Sequence, residues 1–450
     1  MMKQHGCMGA VALIAGMAAL AWAGPEAVLN VEKPAPSRGT PAVFKFGGED
    51  NQEFMLNGKP FQIRGAEMHP QRIPREYWRH RIRTARAMGL NTIAFYVFWN
   101  DHEQPDGSFD FKTGNRDLAA FLKLCQEEGM WVLFRPGPYV CGEWDLGGLP
   151  HYLLKDPKAK LRTTEDAKFM KAQARYLEAV ARVAEPFLAK NGGPILMTQL
   201  ENEYGSYQRK DPKYMEWLKT FWTRKGFGPF YTSDGAGEHY LKGVTLPGVA
   251  VGLDPGLNDG HWKIANKCNP GVPVFSSETY PGWLRHWGEG NWNPTPEIVD
   301  HVRWFMDKGR SFSLFVFHGG TNFGFTAGAN NGGPGQYQPD LTSYDYGSPV
   351  DEHGRMNEYY TRMREIILAK LPAEAAVPEP PADIPSMEIP EFTPEVHAGL
   401  WENLPRPFRS KFPQPPYFEQ WNQNQGMAIY ITAVPAGPCL LYTSPSPRDR

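Results

Sequence analysis

From Phe54 to Lys370 short apolar runs alternate with longer segments in which apolar residues recur at helical spacing. The strand-like runs fall at Ile63-Arg64-Gly65, Asn91 to Trp99, Met130 to Tyr139, Pro194 to Leu200, Pro229 to Ser233, Val249 to Leu253, Val272 to Ser276 and Phe312 to Phe317; the sixth is the weakest. The first of them follows the turn signal Asn57-Gly58. Helical patterns separate most of these runs: Pro74 to Met88, Asp117 to Glu128, Asp166 to Leu188, Tyr214 to Lys225 and Thr295 to Lys308, several closed by glycine. Repeated β-α units in this number predict an α/β fold, a closed (β/α)8 (TIM) barrel over residues 47–371, in preference to an open doubly wound sheet. No G-x-G-x-x-G follows the first strand and no P-loop occurs, so nucleotide-binding alternatives lack their phosphate cradle.

The pattern changes at both ends. Residues 372–394 are rich in Pro and Glu and read as a linker. Beyond them Met427 to Val434 alternates like a strand, so residues 395–438 are expected to begin a β-rich domain that is cut off. At the start, Lys3 precedes an apolar run from Cys7 to Ala23 that ends in the small-x-small triplet Ala21-Trp22-Ala23. That predicts a signal peptide over residues 1–23, and a soluble protein exported to the periplasm or the medium, with no membrane association after cleavage. Residues 439–450 break from the preceding pattern, and Cys439 to Asp449 match the translation of a common transposase adapter used in DNA library preparation; an adapter-derived tail is the expectation.

Composition narrows the function. With 47 Lys+Arg against 49 Asp+Glu, a net charge of −2 offers nucleic acid or an anionic membrane no electrostatic attraction. The 46 glycines and 42 prolines, near one fifth of 450 residues against a usual ~12%, describe a loop-rich globular chain. Aromatic residues reach 13%, including 14 Trp and 19 Tyr, a surplus that needs a use. The five cysteines form no C-x-x-C or zinc-like pattern; buried thiols are expected, with one disulfide permitted by export. No H-E-x-x-H or comparable cluster exists, so His69, His102 and His318 read as hydrogen-bonding pocket or core residues, and no metal or organic cofactor is expected.

In such a barrel the reacting groups stand at the C-terminal ends of the strands. Strand two ends in Tyr96 to Asn100 with Glu103 close behind, and strand three in Arg135 to Tyr139, leading to Cys141-Gly142-Glu143-Trp144. Strand four ends in Glu201-Asn202-Glu203-Tyr204-Gly205, strand seven in Ser277-Glu278-Thr279-Tyr280, and strand eight in His318 to Gly324. Glu203 and Glu278 thus face each other across the barrel mouth. Two carboxyls across a pocket of Trp and Tyr are what glycoside hydrolysis requires, one to protonate the departing oxygen and one to attack the anomeric carbon, about 5 to 5.5 Å apart in a retaining enzyme. The aromatics would stack on sugar C–H faces. Asn202 is a candidate donor to a sugar hydroxyl, or a satisfied loop amide. Arg135 either holds a carboxylate ionised or bridges two loops, and Tyr96 is either a sugar contact or core.

These motifs, together with Leu56-Asn57-Gly58-Lys59-Pro60, Met88 to Thr92, Gly147-Gly148-Leu149-Pro150, Gly192 to Ile195, Gly319 to Gly324 and Thr342 to Tyr346, resemble glycoside hydrolase family 35, the β-galactosidase family, over about Gly47 to Leu371. The resemblance implies a retaining, exo-acting enzyme that removes terminal non-reducing β-galactose, with Glu203 as acid/base and Glu278 as nucleophile. It implies a galactose pocket drawing on Tyr96, Glu143, Asn202 and Tyr346 and on the backbone around Gly142, which stands where many members have Ala. Two other readings stay open: the same chemistry on another β-glycoside such as a β-glucosaminide, and a carbohydrate-binding protein without turnover.

Overall fold

A computed structural model describes residues 31–290, 295–333, 335–407, 415–431 and 433. The expected signal peptide and the expected adapter-derived tail lie outside the described residues. Eight parallel strands close into a barrel in sequence order, with the last pairing back to the first. They are β1 (Arg64–Met68), β2 (Thr92–Tyr96), β3 (Trp131–Arg135), β4 (Ile195–Gln199), β5 (Phe230–Gly235), β6 (Ala250–Asp254), β7 (Val274–Thr279) and β8 (Phe312–His318). Strands β2 and β4, like β7 and β8, are buried at every residue, because side chains on one face fill the barrel and those on the other meet the helices. The fold is therefore the (β/α)8 barrel that the alternation predicts.

The helices start where capping side chains allow. Asp117 accepts from the Ala120 N–H ahead of Leu118–Glu127, and Asp166 accepts from Lys168 and Phe169 ahead of Ala167–Ala184. The second of these stops short of its predicted end: Pro186 has no N–H to give, and the chain tightens into a 3-10 turn at Glu185–Phe187. Helices Asp259–Cys268 and Glu358–Leu368, each opened by an Asn cap, complete the outer layer.

A three-stranded antiparallel sheet of Phe44–Gly47, Glu53–Leu56 and Lys59–Pro60 sits at the N-terminal end of the barrel. Its Phe54 packs edge-on against Phe275 at 5.6 Å between ring centroids, and Phe275 meets Tyr231 across the interior at 5.2 Å. The sheet corks that end.

Residues 427–431, expected to extend as a strand, form none, since a lone alternating segment finds no sheet edge to pair with among the described residues. Of the cysteines described, Cys125, Cys141 and Cys268 are free thiols. No helix among the described residues is long and apolar enough to cross a membrane.

Candidate active site

The loop after β4 is bent by two glutamates in the left-handed region, Glu201 at φ 62° and Glu203 at φ 44°. That conformation costs an L-residue about 1–2 kcal/mol and gathers at functional sites. The two carboxyls then part. Glu201 turns away from the pocket onto Arg162, with Nε to Oε1 at 3.1 Å and Nη2 to Oε2 at 2.6 Å, and accepts from the Tyr214 hydroxyl at 3.0 Å. Arg162 also donates to the Asn202 carbonyl at 2.6 Å, while the Asn202 N–H donates to Glu201 at 2.8 Å. Asn202 is pinned between them. Its Oδ1 accepts from Arg135 at 2.9 Å, Gln199 at 2.8 Å and Tyr96 at 3.3 Å. With the oxygen so occupied, the amide nitrogen must face Glu203, whose Oε2 lies 3.5 Å away.

Glu278, on β7, meets a buried cation, Arg135. Arg135 ion-pairs with Glu278 Oε1 and with Glu67 at 2.8 Å, and its Nε donates to Gln199 at 2.7 Å. The hydroxyls of Tyr96 at 3.3 Å and Ser233 at 3.4 Å also reach Oε1. Among the described residues Oε2 receives only the Tyr280 hydroxyl, at 3.1 Å, which leaves it lone pairs for attack.

No cation hydrogen-bonds to Glu203 among the described residues; burial raises its carboxyl above the ordinary value and the charge of Glu278 raises it further. Asp254, at the end of β6, is pushed well above the usual range by burial and by the charges of Glu278 and Glu203. Burial lifts Glu143 to about 7, although the Tyr344 hydroxyl and the Arg72 charge pull the other way. Arg72 itself is buried, donating to Asn322 at 2.7 Å, the Gly142 carbonyl at 2.5 Å and His69 Nδ1 at 2.8 Å, with its guanidinium 3.7 Å over the Tyr344 ring. His69 then donates through Nε2 to Glu67 at 3.2 Å and stays neutral, burial and two arginines holding it well below its usual value. His102 and His318 are buried, and burial with the nearby Arg81 drives His318 to about 3.

All seven residues singled out from the sequence line one cavity of about 380 Å³: Tyr96, Gly142, Glu143, Asn202, Glu203, Glu278 and Tyr346. That is near the small end of ligand pockets and of the scale of a single sugar ring. Glu103 is elsewhere; it ion-pairs with Arg175 and accepts from Trp99 at 2.6 Å and Tyr152 at 3.0 Å, so it locks a loop. Three features of the site went unnoticed in the sequence. Asp254 follows the weak sixth strand, where the strand-end rule would have found it. Glu67 sits within the first strand. A hairpin of Ala329–Asn331 and Tyr337–Pro339 carries Asn330 and Gln338 to the cavity rim, and its Asn- and Gly-rich sequence reads as loop.

A family model for glycosyl hydrolases family 35 matches residues 53–370. The chain belongs to this family. It is 38% identical over 406 residues to a beta-galactosidase of Xanthomonas manihotis, covering 89% of this chain and 66% of that protein. It is 38% identical over 359 residues to human beta-galactosidase-1-like protein 2, covering 78% of this chain and 55% of that protein. A beta-galactosidase of Macaca fascicularis is 37% identical over 413 residues, with 89% and 59% covered. The chain thus spans roughly three fifths of the length of these family 35 relatives.

Proposed function

We propose that this protein is a retaining, exo-acting β-galactosidase that removes terminal non-reducing β-galactose from oligo- or polysaccharides. The observation that carries the chemistry is the unequal treatment of two carboxyls on one cavity: Glu278 is held by Arg135, while Glu203 has no cation hydrogen-bonded to it among the described residues and is raised by burial. Acid and nucleophile need such a division, one proton-bearing and one charged. The choice of galactose is supported by the names of the relatives. Glu203 gives its proton to the glycosidic oxygen as Glu278 Oε2 attacks the anomeric carbon and the C–O bond breaks. Glu203, now ionised, takes a proton from water, which attacks the same carbon and frees Glu278. Asn202 Nδ2, turned toward the cavity by the three donors on its oxygen, holds a sugar hydroxyl.

A panel of aryl glycosides assayed with the full-length protein tests this reading. Cleavage of the β-galactoside with β-galactose as the first product seen by NMR is expected. A preference for a β-glucosaminide, first release of α-galactose, or binding without turnover overturns it. The run from Cys7 to Ala23 supports export; Gly24 at the N-terminus of the mature protein is the expected sequencing result.

A further inference from the structure

A further carboxyl, Asp254, connects with the two proposed catalytic ones. Asp254 Oδ1 hydrogen-bonds with the Tyr280 hydroxyl, the same hydroxyl lies 3.1 Å from Glu278 Oε2, and the Asp254 carboxyl is within hydrogen-bonding reach of Glu203. Counting protons restricts what these contacts can be. A phenol has one O–H. If it serves Glu278, which is charged before attack, the contact between Tyr280 and Asp254 needs a proton supplied by Asp254.

We propose that Asp254 is a further positioning residue of this site, a neutral carboxyl that links the acid/base to the nucleophile in one directed chain of hydrogen bonds. In the free enzyme the chain runs from the Glu203 O–H to Asp254, from the Asp254 O–H to Tyr280, and from the Tyr280 O–H to the Glu278 carboxylate; with substrate bound, the single Glu203 O–H turns from Asp254 to the glycosidic oxygen. In the glycosyl-enzyme Glu278 is an uncharged ester and Glu203 is the anion. The chain then reverses: Tyr280 donates to Asp254, and Asp254 donates to Glu203. Asp254 carries one proton in both states, and no proton enters or leaves the chain except at Glu203. The chain thus favours whichever catalytic carboxyl is charged at that stage. The proposal rests on the reading of Glu203 and Glu278 given above.

The surroundings agree with a neutral Asp254. Its ionisable neighbours are Glu278 on β7, Tyr280 just after that strand, Glu203 after β4 and Tyr346. Asp234, at the end of β5, adds its carboxyl beside Glu203. The cations nearby are already engaged, Arg135 by Glu278 and Glu67 and Arg162 by Glu201. None of them hydrogen-bonds to Asp254 among the described residues, so an anion there would lack a partner.

The sign of a pH shift tests the inference. The alkaline limb of kcat/KM on an aryl β-galactoside reports the proton on Glu203. If Asp254 is neutral, Asp254→Asn keeps a donor and an acceptor of the same shape. The limb should stay within about 0.3 units and kcat/KM should fall about threefold, while Asp254→Ala, losing the chain, should fall about 30-fold or more with the limb displaced upward. Upward is the expected sense because a lost donor no longer stabilises the Glu203 anion. Were Asp254 an anion, its removal in either variant would displace the limb downward by about a unit, and that result overturns the proposal. Equal losses in both variants, or a harmless Asp254→Ala, overturn it as well. Thermal unfolding of both variants separates these effects from misfolding. Should no glycoside be cleaved by the wild type, the functional reading fails, yet the protonation state remains measurable: the infrared C=O band of a protonated carboxyl at neutral pH should be weaker in Asp254→Asn than in the wild type.

Discussion

The two halves of the barrel mouth treat acidic side chains in opposite ways. In one half, Glu67 on β1 and Glu278 on β7 are bridged by Arg135 from β3. On the side of β5 and β6, Asp234 and Asp254 have only neutral donors or other acids as hydrogen-bond partners among the described residues, and Glu203 leans toward this side through its N–H to the Ser233 carbonyl at 2.9 Å. The first half offers its carboxyls a cation; in the second none hydrogen-bonds to them among the described residues. Glu201 shows that position alone does not decide this: two residues from Glu203 on the same strand end, it is neutralised by Arg162. In the roles proposed above, what separates the nucleophile from the acid is which half supplies the neighbours.

The largest effect should come from removing the carboxyls that this contrast distinguishes. Glu278→Gln should lower kcat on any β-galactoside by about 10⁴-fold or more, because no nucleophile replaces it. Glu203→Gln should cost about 10²–10⁴-fold on a poor leaving group but far less on a nitrophenol-like one, which departs without a proton. Equal losses on both substrates would break the assignment of roles.

Next, Arg135→Met takes the cation from the first half and leaves Glu67 and Glu278 buried together. Stripping one partner from a buried ion pair costs about 3–5 kcal/mol, so chemical denaturation should show a loss of that size along with lost activity. Little change in stability would mean that the two halves differ less than the contacts imply.

A smaller effect tests the second half. Burial raises Asp234 from 3.8 to about 7. The unfolded aspartate releases its proton near pH 4, so between about pH 4 and 7 the folded state holds more protons and stability falls as pH rises. The melting temperature of Asp234→Asn should fall less between pH 5 and 7.5 than that of the wild type. Parallel curves would remove Asp234 from the set of proton holders.

The smallest concerns the pocket wall. Gly142 has φ 61°, and a Cβ there would lie 3.2 Å from the Tyr96 ring. Gly142→Ala should cost about 1 kcal/mol of stability and raise KM a few fold with kcat nearly unchanged. A fall in kcat with KM intact would place the pressure on Glu278 through Tyr96 instead.

The barrel was readable because parallel strands covered on both faces appear as short apolar runs such as Ile93 to Tyr96. Strand ends then pointed to Tyr96, Asn202, Glu203 and Glu278 without any contact being known. Pairing across the barrel was not readable: Arg135 and Glu278 are 143 residues apart, and nothing in either segment says that one guanidinium serves both Glu278 and Glu67. Glu201 and Glu203 look alike in the chain, and Arg162, which separates their fates, lies in a loop without periodicity. Asp254 was missed because the run from Val249 to Leu253 is a weak strand, and the rim hairpin because Asn and Gly carry no strand pattern.

The small sheet beneath the barrel has a consequence for traffic. With Phe54 stopped against Phe275, the N-terminal end of the barrel is closed. In the proposed hydrolysis every molecule uses one doorway, so the departing sugar must clear the mouth before water arrives. A second sugar waiting there is the natural competitor for the galactosyl group, and crowding the doorway with acceptor should turn a hydrolase toward building oligosaccharides.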